Sequence, residues 1–290
     1  MINDTLHHYE GVSRATRLRA RPYQGVRRAP KRFSIDLPGN HFATLFVETG
    51  VAHNPWGRFP YANFEFNLEK LLSCGATRRS FLSVMQDLLP AGGYADLVED
   101  GYVLSVEIAI DFEKARIAEL EIFHPQMNAG PRVGDESAPP DTLYLNARQR
   151  GKADYCIYDK RKQRRRTYRP LRRSRVRIES RWQLNNTPRL RETRIHELAS
   201  LANPFEGLLV LDREGLDEIF QAGRHANFLR NVQVHGLQHA LQGRDNADQE
   251  RRIRMLRQAV VPWWNPQVIW EGRQRAFESI ATLARATVIS

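Results

Sequence analysis

The sequence predicts an α+β protein, with a mostly antiparallel sheet, helices packed on one face of it, and a smaller helical region toward the C-terminus. Short segments between residues 41 and 184 alternate apolar and polar residues and are bounded by Gly, Pro or Asn, which is typical of strands. After about residue 204 the apolar residues recur at helical spacing. A chain of 290 residues can bury a substantial core in one large or two small domains.

Three regions are expected along the chain. Residues 1–32 are predicted to form a basic flexible arm, because they hold eight Lys or Arg, two acids and few bulky apolar residues. Residues 33–204 are predicted to form the α+β domain, and residues 205–290 a mainly helical region. The arm would serve either to track phosphates or simply to keep the protein in solution.

In the first half of the α+β region, segments 41–48 and 61–68 are predicted as strands. The period then changes, and the apolar residues between 81 and 89 fall on one helical face, which predicts a helix with a buried stripe. Thr77 is a suitable N-cap for this helix.

Segment 102–112 is the clearest strand. Its apolar residues share one face, and Glu107 and Asp111 lie on the other. Segment 118–123 is expected to return beside it. The Gly- and Pro-rich segment 127–141 is predicted as an exposed loop.

The next strands surround a basic turn. Segments 143–147 and 154–160 are predicted to pair as a hairpin, and 174–184 forms another strand with Glu179 on its polar side. In 154–160, Tyr158 shares a face with Cys156 and Lys160, while Tyr155 points the other way.

Positive charge is concentrated in one block, residues 148–181, which contains fifteen Lys or Arg and three acids. Its net charge of +12 exceeds the +11 of the whole chain. Such a block favours nucleic acid over acidic small molecules, since each cation that meets a phosphate releases a counterion. The alternative is a solvated basic surface. The predicted DNA-binding cations are Arg148, Arg150, Lys152, Arg161, Lys162, Arg164, Arg165, Arg166, Arg177 and Arg181.

Tyr158 is a candidate nucleophile. A tyrosine hydroxyl can attack phosphorus and hold a covalent phosphotyrosyl bond, but its pKa of about 10 requires help from a metal, a base or cations such as Lys160. The alternative is an aromatic side chain that stacks on a base or packs in the sheet.

Glu107, Asp111 and Glu179 are candidate ligands for Mg²⁺ or Mn²⁺, because hard cations prefer carboxylate oxygens. Residues four apart on a strand are separated by about 13 Å, so Glu107 and Asp111 cannot share one ion unless the strand bends. If strands 102–112 and 174–184 are neighbours, two carboxylates converge. The alternative is a solvated face with ion pairs to Arg177 or Arg181.

The location is expected to be cytoplasmic, with no membrane partner. The two cysteines lie far apart in sequence, no segment approaches the roughly 18 apolar residues of a membrane span, and the first residues lack a secretory signal.

The series SVEIAIDF, TLYLNARQRGKADYCIYDKRKQ and SRVRIESRWQL, followed by NPFEGL, resembles the replication initiation proteins of rolling-circle plasmids and filamentous phages that lack the double-histidine motif. The likeness spans roughly residues 40–210. It implies a DNA strand transferase that nicks an origin, stays joined to the 5′ phosphate and later rejoins the strand. Glu107 stands where Asp is usual, and LNARQRG replaces the Gly-Ser-Arg turn.

Carried over by position, the resemblance makes Tyr158 the nucleophile, with Tyr155 as the fallback, and Lys160, Arg177 and Arg148 the phosphate-side cations. Glu107, Asp111 and Glu179 become the metal-binding set. The implied partners are origin duplex and single-stranded DNA, a host helicase and a second copy of the chain. The rival functions are a non-enzymatic DNA- or RNA-binding protein, such as a repressor, and a structural or ribosome-associated basic protein.

Overall fold

A computed structural model of the chain describes residues 12–14, 31–37, 43–54, 57–67, 75–89, 93–101, 103, 105–113, 115–134, 141–147, 153–165, 174–183, 195–220, 222–242 and 245–286. It confirms the α+β class with antiparallel sheets. The chain divides into two compact units. The first contains Met1–Gly101 and Ala276–Ser290, and the second contains Tyr102–Arg275.

The first unit contains a four-stranded antiparallel sheet in the order β1-β2-β3-β4. Two described helices follow the sheet. The elements are β1 (Val12–Arg14), β2 (Lys31–Asp36), β3 (Thr44–Asn54), β4 (Gly57–Glu65), α1 (Gly75–Leu88) and α2 (Gly93–Asp100). Both strands predicted in this part are present, and β1 lies within the segment predicted as a flexible arm, of which residues 1–11 and 15–30 lie outside the described part.

The predicted apolar stripe of α1 is buried, as the helical spacing requires. Phe81 has no exposed surface and contacts the rings of Phe66 and Tyr94. Burial raises the pKa of the Tyr94 hydroxyl to about 12. The N-cap prediction was wrong, because α1 begins at Gly75 and Thr77 is completely buried inside the helix.

The second unit is built on a five-stranded antiparallel sheet in the order β5-β10-β9-β8-β7. A two-stranded sheet pairs β6 with β11. The strands are β5 (Ser105–Glu113), β6 (Leu120–Phe123), β7 (Met127–Val133), β8 (Thr142–Ala147), β9 (Asp154–Asp159), β10 (Arg175–Gln183) and β11 (Leu209–Asp212). The predicted β8–β9 hairpin is confirmed, and β5 pairs with β10, which was the condition for the approach of the carboxylates.

Two predictions for this sheet were wrong. β6 does not return beside β5 but pairs with β11, which lies far along the chain. The segment predicted as a loop contains β7, one of the two edge strands of the large sheet. An edge strand tolerates Gly and Pro, and the pairing of β7 with β8 shifts register between Ala129 and Arg132, around Gly130 and Pro131.

Helices and 3₁₀ turns make up most of the rest of the described residues. They are α3 (Lys160–Arg165), α4 (Arg213–Phe220), α5 (Ala222–His235), α6 (Leu237–Leu241), α7 (Asn246–Leu256) and α8 (Pro266–Ala286), with 3₁₀ turns at Ile117–Glu119, Ile195–Ser200 and Arg257–Ala259. Among the described residues, no helix combines the length and hydropathy needed to cross a membrane.

The large sheet has one apolar face and one polar face. On the apolar face, Ile157 and Ile178 are completely buried, and Phe112 contacts the ring of Trp264. The indole of Trp264 donates a hydrogen bond to the Leu208 carbonyl at 2.7 Å, so this tryptophan anchors the layer. The opposite face therefore carries the candidate site.

Two buried polar side chains join the helices to β6 and β7. Gln238 of α6 accepts from the His124 amide at 2.8 Å and donates to the Met127 carbonyl at 2.9 Å. Glu121 accepts hydrogen bonds from Arg213 and from the Leu237 amide. Because these buried groups are paired with backbone or a cation, they stabilise the position of the helical layer.

Candidate functional site

The candidate site lies on the polar face of the large sheet, where three strands meet. The antiparallel register sets Asp111 of β5 opposite Arg177 of β10, and Arg177 opposite Tyr158 of β9. Glu179 lies one row further along β10, opposite Cys156. Because side chains alternate between faces, these residues all project to the same side. The sheet therefore places Tyr158, Asp111 and Glu179 in neighbouring positions on one face.

The central contact is a hydrogen bond between Tyr158 and Glu179. The hydroxyl of Tyr158 donates to Oε1 of Glu179 at 2.6 Å. Lys160 lies beside the same hydroxyl, with Nζ 3.3 Å from the phenol oxygen and 5.4 Å from the ring centre. Tyr158 is 7% exposed, and the Glu179 side chain is 4% exposed. A carboxylate is thus fixed in position to accept the phenol proton.

The surroundings of Tyr158 keep its hydroxyl protonated at neutral pH. Burial raises the pKa of this phenol, and the hydrogen bond to Glu179 with its negative charge raises it further. Arg177 acts in the opposite direction but does not outweigh them. A reaction at this oxygen therefore needs a base that takes the proton as the new bond forms.

Arginines and acids alternate along the face. Arg177 donates to Asp111 through Nε at 2.5 Å and Nη2 at 2.8 Å. Arg175 also reaches Asp111, at 3.4 Å, and contacts Glu113. Burial alone would raise the pKa of Asp111, but the hydrogen bonds and charge of Arg177 lower it below its ordinary value. Asp111 is therefore ionised at neutral pH.

A second arginine, Arg181, lies between two acids. Its Nη2 donates to Oε2 of Glu179 at 2.5 Å, and its Nε lies 3.2 Å from Oε2 of Glu107. The Glu107 side chain is half exposed. The guanidinium occupies the place that a shared cation would take between these two carboxylates.

The three predicted metal ligands therefore fall into two groups. The register of β5 with β10 is continuous from Glu113 to Ser105, so Glu107 and Asp111 remain a full four-residue strand spacing apart. Glu107 joins Glu179 around Arg181, and Asp111 joins the other two arginines. Among the residues that the structure describes, no group of three or more His, Cys, Asp or Glu is arranged to hold a metal ion. The ion pairs of these acids with Arg177 and Arg181, which were the alternative to metal binding, are present.

Tyr155, the fallback nucleophile, lies on the apolar face. Its hydroxyl donates to the Pro204 carbonyl, and its ring lies near those of His124 and Phe205. Burial raises the pKa of its phenol. Tyr155 thus faces away from Glu179, and the two tyrosines lie on opposite faces of the sheet.

The cations that follow Tyr158 are placed by a helix cap. The Asp159 carboxylate accepts from the amides of Arg161 and Lys162 at 2.8 and 3.1 Å, which starts α3 directly after β9. Arg161 is half-buried, and Lys162 is exposed and paired with Asp141. Arg164 and Arg165 belong to α3. Four predicted cations lie outside the described residues: Arg148, Arg150, Lys152 and Arg166.

Sequence reasoning missed Arg175 and Tyr144. Arg175 belongs to the same alternating row as Arg177, so its spacing carried the signal. Tyr144 of β8 lies opposite Cys156, and burial and the neighbouring Cys156 thiol raise the pKa of its phenol. Both residues extend the polar face beyond the predicted set.

Comparison with known proteins adds no assignment. No protein-family model matches this chain, and no curated protein matches it.

Proposed function

We propose that this protein is a rolling-circle replication initiator that nicks and rejoins one DNA strand through a covalent bond to Tyr158. The hydrogen bond between Tyr158 and Glu179, flanked by Lys160 and Arg177, is the observation that carries the proposal. The order of the motifs described above supports it, as does the basic segment that begins immediately after β9.

The reaction is a transesterification at phosphorus. The phenol oxygen of Tyr158 forms a bond to the scissile phosphorus, and its proton passes to Glu179. The bond from phosphorus to the 3′ oxygen breaks, and that oxygen takes up a proton to become the primer hydroxyl. One phosphodiester replaces another, so the same groups acting in reverse rejoin the strand. General-base help of this kind contributes about 10² to 10⁴ in rate.

Two cations beside the phenol would stabilise the negative charges that develop in this reaction. Arg177 and Lys160 lie close enough to stabilise the negative charge that develops on the Tyr158 oxygen and on the phosphate oxygens. Because Tyr158 and Glu179 are largely buried, these charges interact with less screening by water.

A divalent cation fits one part of the site. Arg181 shows that a positive group can lie between Glu107 and Glu179, and carboxylate oxygens are the ligands that Mg²⁺ and Mn²⁺ prefer. Bound there in exchange for the guanidinium, such an ion would neutralise charge on the non-bridging phosphate oxygens. Asp111, which Arg177 and Arg175 hold, is not part of this pair.

The partners proposed for this activity are an origin duplex and the single strand released from it, in the cytoplasm. The basic block 148–181 supplies phosphate contacts. A host helicase would unwind the duplex from the nick, and inverted repeats at an origin would suit a homodimer.

The test uses pure protein, a supercoiled plasmid that carries the origin, and Mn²⁺. We expect nicked circles and a protein–DNA adduct whose modified peptide contains Tyr158. Tyr158→Phe should abolish both products. Tyr155→Phe is the matched control on the same strand, and it should retain the adduct at Tyr158. If Tyr158→Phe still forms the adduct, Tyr158 is not the nucleophile.

A non-enzymatic DNA-binding protein is the second candidate, and the pairing of each predicted acid with an arginine favours it. It predicts a complex with DNA that is insensitive to EDTA and forms no covalent band. Equal affinity for any RNA or DNA, with a steep salt dependence, would instead indicate a structural basic protein.

A further inference from the structure

We infer that Arg175 and Arg177 form the binding site for one DNA phosphate, and that the Asp111 carboxylate fills this site in the free protein. The inference rests on the proposed function, because it names the substrate group that these arginines bind. It also gives Asp111 a role different from metal ligation. Asp111 becomes a positioning residue that acts through Arg177.

The geometry of the pair is that of anion recognition. Arg177 presents two nitrogens to the two oxygens of Asp111, at 2.5 and 2.8 Å, and Arg175 adds a third nitrogen at 3.4 Å. A guanidinium binds phosphate through the same two-pronged contact. A carboxylate in this position therefore takes the place of two phosphate oxygens.

The site is partly open to solvent and lies beside the nucleophile. The side chains of Asp111, Arg177 and Arg175 are 23%, 22% and 30% exposed. The register places Arg177 directly opposite Tyr158. A phosphate that displaced Asp111 from Arg177 would thus come to lie next to the phenol.

Competition between the two anions follows from their charges. Asp111 already occupies the two nitrogens of Arg177 that a phosphate would bind. Binding DNA then requires the arginines to exchange a carboxylate for a phosphate, which reduces the net gain of each contact. Removing the charge of Asp111 should make the arginines available to DNA.

The experiment measures binding of a fluorescent thymidine oligonucleotide at several salt concentrations, without divalent ions, to the full chain. Asp111→Asn should bind about tenfold more tightly than wild type. Its plot of log affinity against log salt should be steeper by about 0.7, the value for one additional phosphate contact on a single strand. Asp111→Ala provides a second variant in case the amide keeps hold of Arg177.

Glu113→Gln is the matched control. It removes the same charge from the same strand, but Glu113 contacts Arg175 near the end of the strand and its side chain is half exposed. It should raise the affinity less than Asp111→Asn does and leave the slope unchanged. In the double variant Asp111→Asn with Arg177→Met, the added affinity should disappear.

Three outcomes overturn the inference: weaker binding by both Asp111 variants, an unchanged slope, or a gain that survives Arg177→Met. Each leaves the proposed function intact if wild type still binds the oligonucleotide and forms the Tyr158 adduct with origin DNA. Failure of wild type in both of those assays would instead reject the proposed function.

Discussion

In each unit of the protein, one glutamate of an antiparallel sheet accepts hydrogen bonds from a tyrosine and an arginine. In the first unit, the Glu48 cluster, Glu48 accepts from Arg32 at 2.5 Å, Tyr61 at 3.2 Å and Asn63 at 3.4 Å. In the second, the Glu179 cluster, Glu179 accepts from Tyr158 at 2.6 Å and Arg181 at 2.5 Å, with Arg177 at 3.8 Å. The contact between a tyrosine and a carboxylate is thus an ordinary way to satisfy polar groups on a sheet.

The two clusters differ in their cations and their burial. Glu48 faces one arginine and two neutral donors, and its side chain is 21% exposed. Glu179 lies between two arginines, and its side chain is 4% exposed. The tyrosine that donates to it, Tyr158, also contacts Lys160. The second cluster therefore places three cations near one buried carboxylate and its tyrosine, where the first places a single arginine. This number of cations, more than the phenol itself, supports the proposed contact with a phosphate.

The strongest test of this difference compares Tyr158→Phe with Tyr61→Phe. Tyr158→Phe removes the attacking oxygen, so covalent adduct with origin DNA should fall below detection. Tyr61→Phe removes the equivalent hydroxyl from the Glu48 cluster and should leave adduct formation at the wild-type rate. Gel electrophoresis of denatured protein–DNA adducts measures both, and equal loss in the two variants would mean that the clusters are not distinct.

The second test compares the two carboxylates. Glu179→Gln removes the proton acceptor of Tyr158, and the rate of adduct formation should fall by about 10² to 10⁴. Glu48→Gln should leave that rate unchanged. A Glu179→Gln protein with a wild-type single-turnover rate would show that another group takes the proton.

The third test compares the arginines. Arg181→Met leaves Glu107 and Glu179 without the cation between them, so Mn²⁺ should bind at least about tenfold more tightly than to wild type. Arg32→Met leaves a single carboxylate and should show no such gain. Electron paramagnetic resonance of free Mn²⁺ measures the affinity. Equal Mn²⁺ affinity of the two variants would mean that Glu107 and Glu179 do not bind one ion together.

The smallest expected effect concerns alkaline pH. Because burial and Glu179 raise the pKa of Tyr158 above 10.0, the folded protein holds this proton more tightly than the unfolded chain. The resulting stability is complete below about pH 10 and is lost as the pH rises toward the folded pKa, by at most about 1.4 kcal/mol per pH unit.

Tyr158→Phe should therefore reduce the alkaline fall in the free energy of unfolding, measured by urea denaturation across a pH series. Glu179→Gln should lower the pKa of the Tyr158 phenol, since a neutral amide replaces the charge that helps to raise it. A pH dependence identical to wild type in both variants would contradict the described environment of the phenol.

The alternation of residues was enough to predict the faces of the central strands. Glu107, Asp111, Tyr158 and Glu179 lie on one face because strand side chains alternate, and the pairing of β5 with β10 was stated as the condition for their approach. The division of the acids between two sets of arginines was not predictable, because it depends on the exact register, which sets Asp111 opposite Arg177 and Glu107 opposite Arg181.

Strand partners and edge strands were harder to predict. The apolar run of β6 shows that it is buried but does not show that its partner is β11. The Gly and Pro residues of β7 are typical of loops, yet they lie in a strand. Position 130 needs a glycine because a Cβ there would come within 2.7 Å of Tyr144 on the neighbouring strand. Such close approach is invisible until the neighbouring strand is known.

The position of β9 in the interior of its sheet has a mechanical consequence. Hydrogen-bonded ladders join it to β8 on one side and β10 on the other. If DNA were attached to Tyr158 as proposed, a pull on it would be shared between these two ladders. Under the proposed function, the strand that carries the covalent bond to DNA would thus be held by its sheet on both sides.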